Sequence, residues 1–108
     1  MTKITVYKNK AGDIQGFCCR DHAGFAKKGR DVVCAAISVL VFNTINSVER
    51  LTDDEFSGEQ DEDNAMITFR LGDKYSPQTQ LLLQSFVLGI TGIQAENKKH
   101  ISILFEEV

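Results

Sequence analysis

Apolar and polar positions along the chain change period several times, and each change marks an element. Residues 2–8 alternate, with Ile4 and Val6 on one face, which predicts a strand. Asn9-Lys10-Ala11-Gly12-Asp13 is turn material, and Ile14 to Arg20 resumes as a second strand, so a hairpin opens the fold. Residues 21–30 follow neither period. Their two glycines and three cations predict a mobile loop. Asp31 is a good N-cap, and the apolar run behind it, from Val32 through Phe42, Ile45 and Val48 to about Leu51, predicts a helix buried on most sides. The acidic stretch 52–63 reads as a linker. Ala65 to Leu71 is a third strand. Ser76-Pro77 opens a second helix, with Ser as cap and Pro at the first helical position. Leu81, Leu82, Leu83, Phe86, Val87, Ile90 and Ile93 are expected to line its apolar side, and Gly89 and Gly92 either weaken it or admit a close neighbour. Lys99 to Val108 closes the chain as a strand.

The resulting order, β-β-α-β-α-β, predicts an α+β fold in which a small mixed or antiparallel sheet carries two helices. At 108 residues the chain is expected to form a single domain over 1–108, and 43% hydrophobic residues suffice for a modest core. Met1 to Tyr7 lacks the continuous apolar segment of an export signal. No apolar run approaches the ~20 residues of a membrane span. The expected location is cytoplasmic. In that reducing compartment the three cysteines, Cys18, Cys19 and Cys34, are expected as free thiols. Adjacent cysteines lack the C-x2-C spacing of a zinc site, and His22 and His100 lie far apart, so no metal is expected. Neither a Walker A nor a G-x-G-x-x-G pattern occurs, and no cofactor is called for.

The net charge of -3 gives no general attraction for nucleic acid. The charge is unevenly placed. Asp53, Asp54, Glu55, Glu59, Asp61, Glu62 and Asp63 crowd one stretch, and Lys27, Lys28 and Arg30 another. The acidic run is either a solvated loop or a patch that steers a basic partner.

Candidate chemistry concentrates in residues 20–38. Cys34 falls near the start of the first helix, where the helix dipole favours a thiolate and free backbone N–H groups can hold a developing oxyanion. His22 lies on the preceding loop, which is long enough to close back on the helix. Residue chemistry alone leaves Cys34 open as either a small packing group or a nucleophile.

The string His22-Ala23-Gly24-Phe25-Ala26, followed by Gly29-Arg30-Asp31-Val32-Val33-Cys34-Ala35-Ala36-Ile37-Ser38, resembles the signature of the ribosomal-processing cysteine proteases, G-H-A-G-[YF]-A-x-x-G-x-D-[IV]-V-C-A-A-[VI]-S. The match is unbroken from His22 to Ser38 outside the pattern's open positions. It departs at Asp21, where the pattern has glycine. The resemblance implies a homodimeric protease that removes the N-terminal extension of a bacterial large-subunit ribosomal protein, L twenty-seven. In that frame Cys34 is the nucleophile, His22 the general base and then acid, and Asp31 and Ser38 stand near the site. The competing expectation is a non-enzymatic ribosome- or RNA-binding module in which Lys27, Lys28 and Arg30 meet phosphates and Cys34 is core. Cys18 and Cys19, pointing to opposite faces of a strand, are expected to fill space. His100 is expected to be structural.

Overall fold

The structure, a computed structural model, describes residues 1–20 and 30–108, the side chains of Arg30 and Asp31 excepted. The elements run β1 (Thr2–Lys8), β2 (Ile14–Arg20), α1 (Arg30–Leu51), β3 (Phe56–Asp61), β4 (Met66–Leu71), α2 (Pro77–Glu96) and β5 (Ile101–Glu107). The strands form one sheet in the order β3-β4-β2-β1-β5. All its pairings are antiparallel except β1 with β5, so the sheet is mixed. The α+β expectation holds, with one strand added.

That strand is β3, in the stretch read as an acidic linker. Its sequence, Phe-Ser-Gly-Glu-Gln-Asp, has neither β-branched residues nor an apolar alternation. It exists because it is an edge strand, where one partner suffices and charge on the open side is tolerated. Phe56 anchors it by stacking on Phe69 of β4, ring centroids 5.0 Å apart. Asn64 then donates to the Asp61 carboxylate from both its backbone and its side chain and closes the turn into β4. The side-chain bond first, and the backbone bond second, hold the Asp61 carboxyl below the usual carboxylate range.

Both helices lie on one face of the sheet. Ile4 and Val6 of β1, Phe17 and Cys19 of β2, and Ile67 and Phe69 of β4 point to that face, and their registers pair them in rows. Val33, Ile37, Val41 and Val48 of α1 cover them together with Leu83, Phe86 and Ile90 of α2. By length and a mean hydropathy of 1.7 over Val32–Leu51, α1 is apolar enough to cross a bilayer, which corrects the sequence reading that no run comes near that test. In this fold one side of it is core and the other presents Val32, Val39 and Phe42 outward. Gly89 admits Leu40: a Cβ there would come within 2.9 Å of the leucine side chain, so this glycine sets the α1–α2 approach. Gly92 faces open space.

Helix α2 is tied down at its start by groups from elsewhere in the chain. Ser76 caps it as expected, its side chain accepting from the Thr79 N–H. Asp54 accepts from the Ser76 backbone N–H at 2.7 Å, from the Ser76 hydroxyl at 2.8 Å and from the Thr79 hydroxyl. These donors, the Ser76 backbone N–H foremost, hold the Asp54 carboxyl below its ordinary range. A carboxyl depressed in the folded state stabilises the fold fully above its unfolded value near 3.8 and loses that contribution as pH falls through the folded one. Asp54→Asn is therefore expected to melt earlier than wild type at pH 7. The gap between the two should close in melts run below about pH 4. Gln80, buried on the next turn, exchanges two hydrogen bonds with the backbone of Ile14. Tyr75 donates to Asp13 at 2.7 Å and accepts from Asn9, pinning the β1–β2 turn to the same point.

Candidate functional site

The registers divide the molecule into two ends. Lys3, Arg20, Met66 and Asp61 stand in one row across the sheet, and Thr2 pairs with Ile101 beside it. At this end β2 finishes at Arg20 and α1 begins at Arg30. The hairpin turn, Phe56 and the start of α2 lie at the other end. The acidic stretch is thus split rather than clustered. Asp53, Asp54 and Glu55 belong to the α2 end, while Asp61, Glu62 and Asp63 belong to the end where α1 begins.

Cys34 sits early in α1 and is half-buried. Its neighbours Val33 and Ile37 turn into the core, which fixes the face that Cys34 presents. The Sγ atom lies 4.0 Å from the hydroxyl of Thr2, at the start of β1. Thr2 is in turn held through its backbone, its N–H donating to the His100 carbonyl at 2.8 Å. The His100 N–H donates to Asn97, the residue that ends α2. Cys34 therefore stands where the N-terminus of α1 meets the first residues of β1 and the turn into β5. A thiol this early in α1 lies toward the positive end of the helix dipole.

The remaining predicted residues fall as follows. Ser38 lies one turn beyond Cys34 and is also half-buried, the same-face placement expected from an i, i+4 spacing. Asp31 was expected as the N-cap, but α1 begins at Arg30, so Asp31 lies within the first turn. Acidic residues suit both positions, because each is near the helix's positive end, and boundary assignments shift by a residue or two. Its side chain, and all of His22 and the predicted loop through Gly29, lie outside the described residues. Cys19 is buried in the core, and Cys18 is buried on the opposite sheet face, where it accepts from the Thr68 hydroxyl at 3.7 Å. Both cysteines pack, as expected. His100 precedes β5 rather than lying in it; its backbone is structural, and its Nδ1 is buried without a hydrogen-bond partner among the described residues. Thr2 was missed by sequence reading. The available signal was a polar residue on the buried side of the alternation Thr2, Ile4, Val6.

Residues 1–102 match the sequence profile of the family described as cysteine protease Prp. This chain belongs to the Prp cysteine protease family. It is 26% identical over 107 residues to the ribosomal processing cysteine protease Prp of Bacillus subtilis, covering 95% of this chain and 96% of that one. The crystal structure of the essential ribosomal processing protease Prp from S. aureus, in complex with a substrate peptide, superposes with a TM-score of 0.92 at 23% identity, covering 98% of this chain and 100% of that one. A Streptococcus mutans crystal structure reaches a TM-score of 0.91 at 29% identity, over 100% of this chain and 96% of that one. The chain is thus a cysteine protease of a ribosomal-processing family, and the competing expectation of a non-enzymatic binding module falls.

Proposed function

We propose that residues 1–108 act as one cysteine endopeptidase domain that removes the N-terminal extension of a bacterial large-subunit ribosomal protein, L twenty-seven, in the cytoplasm. The observation that carries the reading is the half-exposed Cys34 near the start of α1, at the sheet end where β2 stops two residues before His22. The Cys34 thiolate attacks the scissile carbonyl carbon, and the first-turn N–H groups of α1 receive the oxyanion. His22 delivers the thiol's proton to the departing amine and then takes one from the water that hydrolyses the thioester. Asp31 and Ser38 support the site from the same helix. A synthetic peptide spanning the junction between extension and mature sequence, followed by mass spectrometry, tests the substrate. One cut at the junction is expected, and none in a shuffled peptide. Equal cutting of both, or cutting away from the junction, overturns the assignment.

A basic substrate segment is steered by the carboxylates at the Cys34 end, Glu62 and Asp63 in the β3–β4 turn, rather than by the whole acidic stretch. The double variant Glu62→Gln/Asp63→Asn is expected to lower kcat/KM roughly three- to tenfold at low ionic strength. The difference should vanish in about 0.5 M salt, where the Debye length is only a few ångströms. An unchanged salt dependence ends the steering idea.

The working form is a homodimer. Supporting this, Val39 of α1 and Leu88 of α2 are 67% and 75% exposed on the outward side of the helical layer, a poor arrangement for a lone small domain. Sedimentation equilibrium is expected to return twice the chain mass of 12.0 kDa. A monomer at micromolar concentration removes the dimer from the reading.

A further inference from the structure

We propose that Thr2 is a positioning residue for the Cys34 sulfur, donating a hydrogen bond from its hydroxyl to the thiolate; the inference rests on the reading of Cys34 as nucleophile. Thr2 shares the helix-facing side of β1 with Ile4 and Val6, and all three are buried. Its neighbours on that side are apolar, and packing alone asks for valine there, a residue of the same shape. Threonine instead places a hydroxyl where the residue is only 3% exposed. A hydroxyl so deep requires a hydrogen-bond partner. Among the described residues its contact is the Cys34 Sγ, at 4.0 Å.

The geometry around this contact is held from the other side. The Thr2 N–H is committed to the His100 carbonyl at 2.8 Å, and Thr2 pairs with Ile101 of β5. Its backbone cannot retreat without breaking the start of the parallel β1–β5 ladder. Cys34 is fixed by α1, whose Val33 and Ile37 are core. Two rigid elements thus aim one hydroxyl at one sulfur.

The protonation state decides the direction of the bond. A neutral thiol can give or take a proton in this pair, but a thiolate can only accept, so on ionisation the Thr2 O–H must be the donor. A bond to a charged acceptor is shorter and stronger than one to a neutral acceptor, so the 4.0 Å contact is expected to tighten when the thiolate forms. The N–H groups of α1 favour negative charge on the sulfur but do not choose its rotamer. Thr2 does, by drawing Sγ toward β1, which fixes the direction from which the sulfur meets a carbonyl.

The test is the pH dependence of Cys34 alkylation by iodoacetamide, in wild type, Thr2→Val and Thr2→Ser, with site occupancy read by mass spectrometry. Thr2→Val is expected to raise the midpoint of the rate profile by about one unit and to slow alkylation below it about tenfold. Thr2→Ser, which keeps the donor, is expected to restore the wild-type midpoint. A merely structural role would change stability and leave the midpoint alone, so a folded Thr2→Val protein with the wild-type profile overturns the proposal. Should the valine variant not fold, the wild-type protein decides: the Thr2 methyl resonance must shift through the pH titration with the alkylation midpoint, and a flat resonance overturns the proposal. Failure of the underlying reading looks different. In that case wild-type Cys34 reacts no faster than the thiol of free glutathione across the same pH range, and Cys34→Ala still cuts the junction peptide.

Discussion

Cys34→Ser is expected to cut the junction peptide at least about a thousandfold more slowly than wild type, a loss of roughly 4 kcal/mol of transition-state stabilisation. Serine differs from cysteine by a single atom, and Cys34 is only half-buried, so the helix and its packing on β1 are retained. Under the proposed mechanism what disappears is the nucleophile: a hydroxyl holds its proton far more tightly than a thiol, and a dyad poised for a thiolate cannot remove it. Because the groups that bind peptide are untouched, affinity for uncleaved peptide, measured by fluorescence anisotropy, is expected to stay within a few-fold of wild type. His22→Ala, which removes the proposed proton carrier but leaves the sulfur, is expected to lose about 10²- to 10⁴-fold. Combining the two should cost little more than Cys34→Ser alone, since residues that act as one unit are not additive. Retention of a tenth of the wild-type rate by Cys34→Ser excludes Cys34 as nucleophile. Near-normal cleavage by His22→Ala moves the proton transfer to another group.

How far the sequence foretold this arrangement depends on where each element drew its stability. β1, β2, β4, α2 and β5 were legible because each carries a pattern of its own period: Ile4/Val6, Phe17/Cys19 and Ile67/Phe69 alternate, and Leu83, Phe86 and Ile90 recur at helical spacing. β3 was not legible, because it has no such pattern. Its strand conformation comes from pairing with β4 and from one ring, Phe56 on Phe69, and neither is a local property. The acidic residues that disguised it as a linker are a consequence of its place at the sheet edge. The candidate site was legible differently. Nothing in spacing or charge distinguishes Cys34 from a packing cysteine. Its string of neighbours carried the resemblance to a family, and the family is what the match over residues 1–102 bears out. Thr2 was hidden for a physical reason, since its relation to Cys34 spans the chain from the first strand to the first helix and exists only once the sheet is packed. The same is true of Asp54, which looks like one more carboxylate in an acidic run until α2 folds back onto it.

The largest expected loss of stability follows from Phe17→Ala. Phe17 is fully buried in the middle of an aromatic ladder that crosses the sheet: it stacks on Phe69 at 5.3 Å and on Phe86 at 4.3 Å, and Phe69 stacks in turn on Phe56. One ring thus joins β2 to β4, through β4 to the edge strand β3, and the sheet to α2. Emptying such a site costs about 3–5 kcal/mol in lost burial and cavity formation. Each aromatic pairing adds about 0.5–1.5 kcal/mol beyond area. A domain of this size has only about 5–15 kcal/mol in total, so the variant sits at the edge of unfolding. Urea denaturation should show a much lower midpoint, with the slope retained if the transition stays two-state. Phe56→Ala removes only the outer, half-buried ring and is expected to cost less than half as much, because β3 can fray while the core stays closed. The ordering of the two is the sharper test. If Phe56→Ala proves as costly as Phe17→Ala, the edge strand is part of the folding core, and the division between a β2-centred core and an appended edge is wrong. Cys34 lies at the end of the sheet where α1 meets β1, away from this ladder, so the residual cleavage by Phe17→Ala at low temperature should track the folded fraction and leave KM unchanged.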